Sequence, residues 1–301
     1  MKIRAGVVGI GNLGAEVAKI LECSPNFELV AKFSKRNLQE TISYERIEEY
    51  KNKIDMLFVC GGSQNELEGQ AKTLIKNFNL IESYDNHPRL ESYIKNLNTL
   101  AKEHKKTALC SIGWDPGLFS LMRGLFDSLG YVPYSFWGKG LSQGHTQAIK
   151  NIKGVKDAVQ FTIPNVDILN RIKNGEHFEV SKSFHRRECF VVCKKWHEKR
   201  VEKEIKTMPD YFEGYDVIVN FVSQAELDKI KSFSHCGEVL TENNVLNFSL
   251  NLKSNPAFTA RVLTTFASAL MELVQEKKYG AFSIFDIPMK YILKKSEFTY
   301  L

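Results

Sequence analysis

Apolar positions in the first third of the chain come in short blocks separated by helically spaced ones. Ile3 to Val8 is an apolar run closed by glycines, which predicts a buried strand. Phe27 to Phe33, Ile54 to Cys60, Asn79 to Tyr84 and Thr107 to Ile112 predict four more strands. Between them, Val17, Ile20 and Leu21, and later Leu90, Tyr93, Ile94, Leu97 and Leu100, fall on helical faces. This alternation predicts an α/β domain: a doubly wound parallel sheet with helices on both faces.

Past Ile112 the rhythm changes. Trp137 to His145 is a glycine-rich loop. Ala158 to Ile163, Glu188 to Val192, Tyr215 to Val222 and Val245 to Leu252 read as strands of a mostly antiparallel sheet, a second domain of α+β type. Asn255-Pro256 opens a long helix, with Asn as N-cap and Pro in the first turn. Phe258, Val262, Phe266, Leu270 and Val274 form its buried face, and Ala281 to Ile287 is a last strand. The expected division is 1–118 and 119–274, with about 275–301 packing back onto the first domain. Neither repeats nor a flexible linker mark the boundary.

Composition narrows the class. Of 301 residues, 43% are hydrophobic and 25% charged, which excludes disordered, collagen-like and coiled-coil chains. Basic residues number 41 against 35 acids, a net charge of +6, and they are scattered. That suits an anionic small molecule better than a nucleic-acid groove. Glycines interrupt the apolar run after Lys2 and Arg4, so no signal peptide is expected. No stretch approaches the roughly 20 apolar residues of a membrane span, so no membrane partner is expected. Cys60, Cys110, Cys189 and Cys193 sit in strand-like runs and read as buried thiols of a cytoplasmic protein. Cys189 and Cys193 with His185 or His197 are poorly spaced for zinc, and no metal is expected.

The chemistry begins at Gly9-Ile10-Gly11-Asn12-Leu13-Gly14, a GxGxxG between a predicted strand and a predicted helix. Gly9 allows the tight turn, Gly11 lets the backbone approach a pyrophosphate, and Gly14 lets helix pack on strand. This is the fingerprint of a Rossmann dinucleotide site, with the anion on the helix N-terminus. About 20 residues on, an NAD site places an acid. Here the chain reads Ser34-Lys35-Arg36, two cations and a hydroxyl, which suits the 2′-phosphate of NADP. Gly61, Gly62 and Ser63 follow the third strand, where small residues admit the cofactor. Asp85 and Asp115 follow the next two strands, in Tyr84-Asp85-Asn86-His87 and Trp114-Asp115-Pro116-Gly117. Ligands of such sheets bind at the carboxyl ends of strands, so the pair can meet over a nicotinamide. Each Asp alone reads equally well as an Asx-turn or a cap.

At these motifs the chain resembles the meso-diaminopimelate dehydrogenase family. Gly9 to Gly14, Tyr84 to His87 and Gly113 to Gly117 match, as do Phe136 to Gly138 and Gly140 to His145. Thr207 to Phe212, Asn255-Pro256 and Phe258 to Ala260 complete a set that runs over nearly the whole chain. The resemblance implies oxidative deamination of the D-centre of meso-2,6-diaminopimelate with NADP, in a homodimer formed through the second domain. Asp85 and Asp115 would hold the reacting D-ammonium, and Trp114, Phe136 and Trp137 would wall the pocket. Gln143 and Gly144 would position the substrate chain, while Thr162, Arg187, His235 and Asn255 would grip the distal L-end. Lys35 stands where relatives often have Arg, and Gln147 where many have an acid. By themselves, His235 reads as a surface-loop histidine, Arg187 as an exposed strand cation and Asn255 as a cap. The alternatives are a reductase like dihydrodipicolinate reductase or saccharopine dehydrogenase, or a dinucleotide sensor without turnover.

Overall fold

The structure, a computed structural model, describes residues 2–62, 66–230 and 234–300. In chain order come β1 (Ile3–Val8), α1 (Asn12–Glu22), β2 (Phe27–Ser34), β3 (Ile42–Ser43), β4 (Met56–Val59), α2 (Leu67–Leu74), β5 (Asn79–Glu82), α3 (Leu90–Glu103) and β6 (Thr107–Leu109). α4 (Leu118–Ser128) leads to β7 (Tyr134–Trp137), β8 (Gly140–Leu141), α5 (Gln143–Lys150), β9 (Val155–Pro164), α6 (Val166–Lys173) and β10 (His185–Cys193). Then follow α7 (Glu198–Lys206), β11 (Asp216–Phe221), α8 (Gln224–Ile230), β12 (His235–Leu240), β13 (Asn247–Leu252), α9 (Asn255–Gln275) and β14 (Gly280–Phe282).

The expected parallel sheet is present, in the order β14-β6-β5-β4-β1-β2-β3, with every pairing parallel. Strand order reverses between β1 and β4, the point at which such sheets open a ligand crevice. Two apolar cores fill its faces, one around Val7, Phe58, Ile81 and Leu109, the other around Phe33, Leu57, Leu80 and Tyr93.

The second domain holds two small sheets rather than one. One is β11-β10-β9-β8, antiparallel except for the parallel pair β10–β11; the other, β13-β12-β7, is antiparallel throughout. The loop expected over Trp137 to His145 yields to α5 at Gln143, because the Ser142 hydroxyl caps the helix at the His145 N–H. The last strand stops at Phe282, where Ser283 and Asp286 close a capping box and turn the chain into one 3-10 turn.

Two compact units result, Met1–Leu121 with Pro256–Leu301, and Met122–Asn255. The return to the first unit therefore comes at Pro256, some twenty residues before the expected point. The cause is α9, whose Leu263, Phe266, Ala267, Leu270 and Leu273 complete the core around Val7, Val17 and Leu21. At 21 residues α9 is also long and apolar enough to cross a bilayer, against the expectation of no such stretch. Its apolar surface is instead buried in that core.

Candidate active site

The glycine loop is shaped by steric necessity. Gly9 takes φ +89°, and its N–H donates to the Phe33 carbonyl at 2.9 Å. A Cβ on Gly14 would lie 2.0 Å from the Gly9 oxygen, so α1 meets the loop closely enough to exclude any side chain. A Cβ on Gly11 or Gly62 would meet nothing within 4 Å, which leaves an open cradle at the switch point. No acid lies in the first turn of α1, and no side chain caps it. Backbone N–H groups and the helix dipole are therefore left to an anion. Ile10 and Leu13 pack on the core, while Asn12 is exposed. At Gly61 the buried Gln70 side chain comes close, its Oε1 lying 2.3 Å from where a Cβ would be. Ser63 lies outside the described residues.

At the end of β2, buried Ser34 accepts the Arg36 backbone N–H at 3.0 Å. The Arg36 guanidinium donates to the Ile10 carbonyl at 3.0 Å, which ties the basic segment to the glycine loop. Lys35 pairs with Glu66 at 3.3 Å and lies over the Tyr44 ring. Glu66 was not anticipated: it offsets part of the positive charge. The cradle, the uncapped helix and this basic segment together fit a phosphorylated dinucleotide.

The arms carrying Asp85 and Asp115 are neighbours. The Ile112 N–H donates to the Glu82 carbonyl at 2.9 Å, and a Cβ on Gly113 would lie 3.9 Å from that of Ser83. Asp85 is exposed and Asp115 half-buried. Trp114 is buried, edge-on to Phe119 at 5.2 Å. Gly117, at φ +134°, lies so close to Gly113 that no other residue fits the turn. Asp115 is thus held on a tight loop, whereas Asp85 opens a less constrained segment.

In the second unit, strand register does the assembling. Gly140 pairs with Thr162, and Thr162 with Arg187, across β8, β9 and β10. Arg187 and Thr162 are both buried, and an Arg187 Nη1–H donates to the Thr162 hydroxyl at 2.5 Å. The guanidinium rests 4.3 Å from the centroid of the Tyr215 ring. No carboxylate pairs with it among the described residues, and its Nε is buried without a partner. Burial lowers its pKa, but a guanidinium stays charged. His235 is neither in a loop nor exposed: it opens β12, buried, and its Nδ1–H donates to the Cys236 carbonyl at 2.8 Å. Its ring occupies the space that a Cβ on Gly140 would take, at 2.3 Å. Arg187, likewise, is a buried strand cation and not an exposed one.

His185 was not singled out as a site residue. Its Nε2 accepts the Trp137 N–H at 2.9 Å, and its ring lies 4.9 Å from that of Trp137. Burial, then the charge of Arg187, pushes its pKa down to about 3, so it is a neutral acceptor that fixes the Trp137 backbone. Phe136, which the resemblance makes a pocket wall, is buried and stacked on Phe184 at 5.1 Å. Gln143 and Gly144 form the first turn of α5, with Gln143 exposed. Gln147 bonds Asn151, the residue that caps the end of α5. Asn255 opens α9.

Residues 113–254 match the family model described as the diaminopimelic acid dehydrogenase C-terminal domain. A meso-diaminopimelate D-dehydrogenase from Ureibacillus thermosphaericus is 42% identical over 98% of this chain and 97% of its own. One from Corynebacterium glutamicum is 36% identical over 95% and 93%. Among solved structures, a C. glutamicum DAP dehydrogenase in complex with DAP superposes with TM-score 0.93 at 34% identity, covering 98% of this chain and 97% of that one. An engineered D-amino acid dehydrogenase bound to NADP+ gives TM-score 0.90 at 32% identity, covering 99% and 98%.

Proposed function

Because the chain belongs to the meso-diaminopimelate D-dehydrogenase family, we propose that it oxidises the D-centre of meso-2,6-diaminopimelate. The products are L-2-amino-6-oxopimelate and ammonia, and NADP is the oxidant. The observation that carries this reading is Arg187, a buried guanidinium on Thr162 and Tyr215 with no carboxylate of its own. It suits the carboxylate of a substrate's distal end.

Gly9 to Gly14 would hold the pyrophosphate, Gly61 and Gly62 would let the chain pass close to the cofactor, and Ser34, Lys35 and Arg36 would hold the 2′-phosphate. NADP supplies a hydride acceptor at the reacting carbon. Asp85 and Asp115 bind the D-ammonium and keep it oriented. One of them takes a proton, because the nitrogen must be neutral before its lone pair assists loss of the α-hydrogen. The resulting imine adds water, and the carbinolamine expels ammonia to leave the carbonyl. Thr162, Arg187 and His235 hold the L-end, with Asn255, Gln143 and Gly144 along the chain. Trp114 limits water beside the reacting carbon.

A second inference concerns assembly. Leu125, Leu129, Tyr131 and Val132 are exposed apolar residues in and after α4, and they support a homodimer formed through the second unit. Light scattering giving a monomer at micromolar concentration overturns it.

The main reading is tested by NADPH formation with the meso and LL isomers of diaminopimelate. Reduction with meso and none with LL, which has no D-centre, is expected. Equal rates with both isomers, or none with meso, overturn it.

A further inference from the structure

Glu82 ends β5 with its side chain wholly buried, where an acid is costly unless it is well bonded. Three donors converge on its carboxyl group. The Tyr84 backbone N–H donates to Oε2. The Tyr93 hydroxyl and the Ser111 backbone N–H donate to Oε1, at 3.0 and 3.2 Å. Tyr84 immediately precedes Asp85, and Ser111 lies four residues before Asp115. One carboxyl group therefore grips both arms where they leave the sheet.

Two observations argue against a packing role alone. A leucine or methionine would fill the space without the cost of desolvating an acid. Ser111, moreover, is held at φ +58°, a left-handed conformation unusual for a serine, with its N–H on Glu82. The groups facing the carboxyl offer no positive charge. Tyr84, next along its own segment, is pushed up to about 12, and Tyr93 of α3 and Cys110 beyond β6 are pushed well up too. Glu68 of α2, which is paired with Lys72, accepts from the Tyr84 hydroxyl at 3.5 Å. Burial pushes Glu82 itself up to about 7, against the pull of its donors.

We propose that Glu82 is a positioning residue, whose carboxyl group cross-braces the two arms and so sets the spacing of Asp85 and Asp115. The proposal rests on the reading of that pair as the groups that hold the reacting ammonium. In Glu82→Gln, an amide oxygen still serves Ser111 and Tyr93, but an NH2 group faces the Tyr84 N–H and releases the Asp85 arm. A misplacement of about 1 Å can cost on the order of 10²-fold in rate, and a loss in kcat of that order is expected. KM for meso-diaminopimelate and the NADP affinity, read by fluorescence titration, stay at wild-type values. In an Asp115→Asn background the same substitution has no further effect, because the spacing it sets no longer matters. Wild-type kcat in Glu82→Gln, or losses that simply multiply in the double variant, overturn the brace. If Asp85→Asn and Asp115→Asn keep full rates, the reading of the pair falls, and the brace with it. If those two lose activity and Glu82→Gln does not, only the brace falls. Should Glu82→Gln fail to fold, Tyr93→Phe removes one donor and keeps the ring. A lowered kcat at unchanged KM is then expected, and an unchanged kcat overturns the proposal.

Discussion

In the first unit, the groups suited to a pyrophosphate lie within six consecutive residues, Gly9 to Gly14, and are backbone N–H groups at a helix start. In the second unit, the groups assigned to the distal end lie on separate segments and are side chains: Thr162 on β9, Arg187 on β10, His235 on β12, with Gly140 on β8 making room. The loop is organised by steric exclusion, because Gly9 and Gly14 leave the backbone one path. The cluster around Arg187 is organised by burial, and it keeps a guanidinium out of water on Thr162 and Tyr215, with no carboxylate partner among the described residues. A buried cation with no carboxylate partner costs stability. The loop therefore suits any dinucleotide phosphate, whereas the pocket favours ligands that bring a carboxylate.

The sharpest way to break this comparison is to separate chemistry from recognition. Asp85→Ala and Asp115→Ala should each lower kcat by about 10²–10⁴-fold, the usual contribution of proton transfer by a positioned group. NADP binding, followed by fluorescence, should not change. Near-normal rates in both variants would make the carboxylates mere turn or cap residues.

Arg187→Met should act on the other half. Truncating a buried charge partner costs about 2–5 kcal/mol, or some 30-fold to several thousand-fold in efficiency on meso-diaminopimelate. The melting temperature of the ligand-free protein should hold or rise, since an uncompensated buried cation is removed. A lower melting temperature with proportionate loss of activity would mean that Arg187 is structural.

Cofactor choice is the next effect in size. Arg36→Glu should weaken NADP by about tenfold or more while NAD is less affected, because a charge-assisted bond becomes a repulsion. Equal use of both cofactors by the wild type would contradict the assignment of Ser34, Lys35 and Arg36. The smallest change is expected from Glu66→Gln, which frees Lys35 from its exposed partner. NADP should then bind more tightly, by no more than about fivefold, since exposed ion pairs are worth at most about 1 kcal/mol. Weaker binding would show that Glu66 orients Lys35 rather than competing for it.

What could be read from the chain follows the same division. The parallel sheet and the glycine loop were legible because their determinants are local: apolar runs, glycine spacing and a helical stripe. The pocket was not legible from its own residues. His235 lies in a polar stretch, and its burial comes from long-range neighbours, with Leu252 as its strand partner and Gly140 under its ring. Arg187 looks like a surface cation until register sets it opposite Thr162. Resemblance supplied their grouping, and the fold supplies its cause. His185 gave no local signal, because its role is to accept a backbone N–H from Trp137, far along the chain. Glu82 did give one, as an acid after Leu80 and Ile81 in an apolar run. The place of α9 was missed for another reason: its apolar face fits either domain, and only the packing assigns it to the first.

The central claim is that the second unit recognises the distal carboxylate while the first performs the oxidation. The most direct test is the ratio of catalytic efficiencies for meso-diaminopimelate and for a D-amino acid with an apolar tail, in wild type and in Arg187→Met. The account predicts that this ratio collapses in Arg187→Met, with the D-amino acid oxidised at least as well as by the wild type. An unchanged ratio would contradict it, because the distal carboxylate would then be held somewhere other than at Arg187.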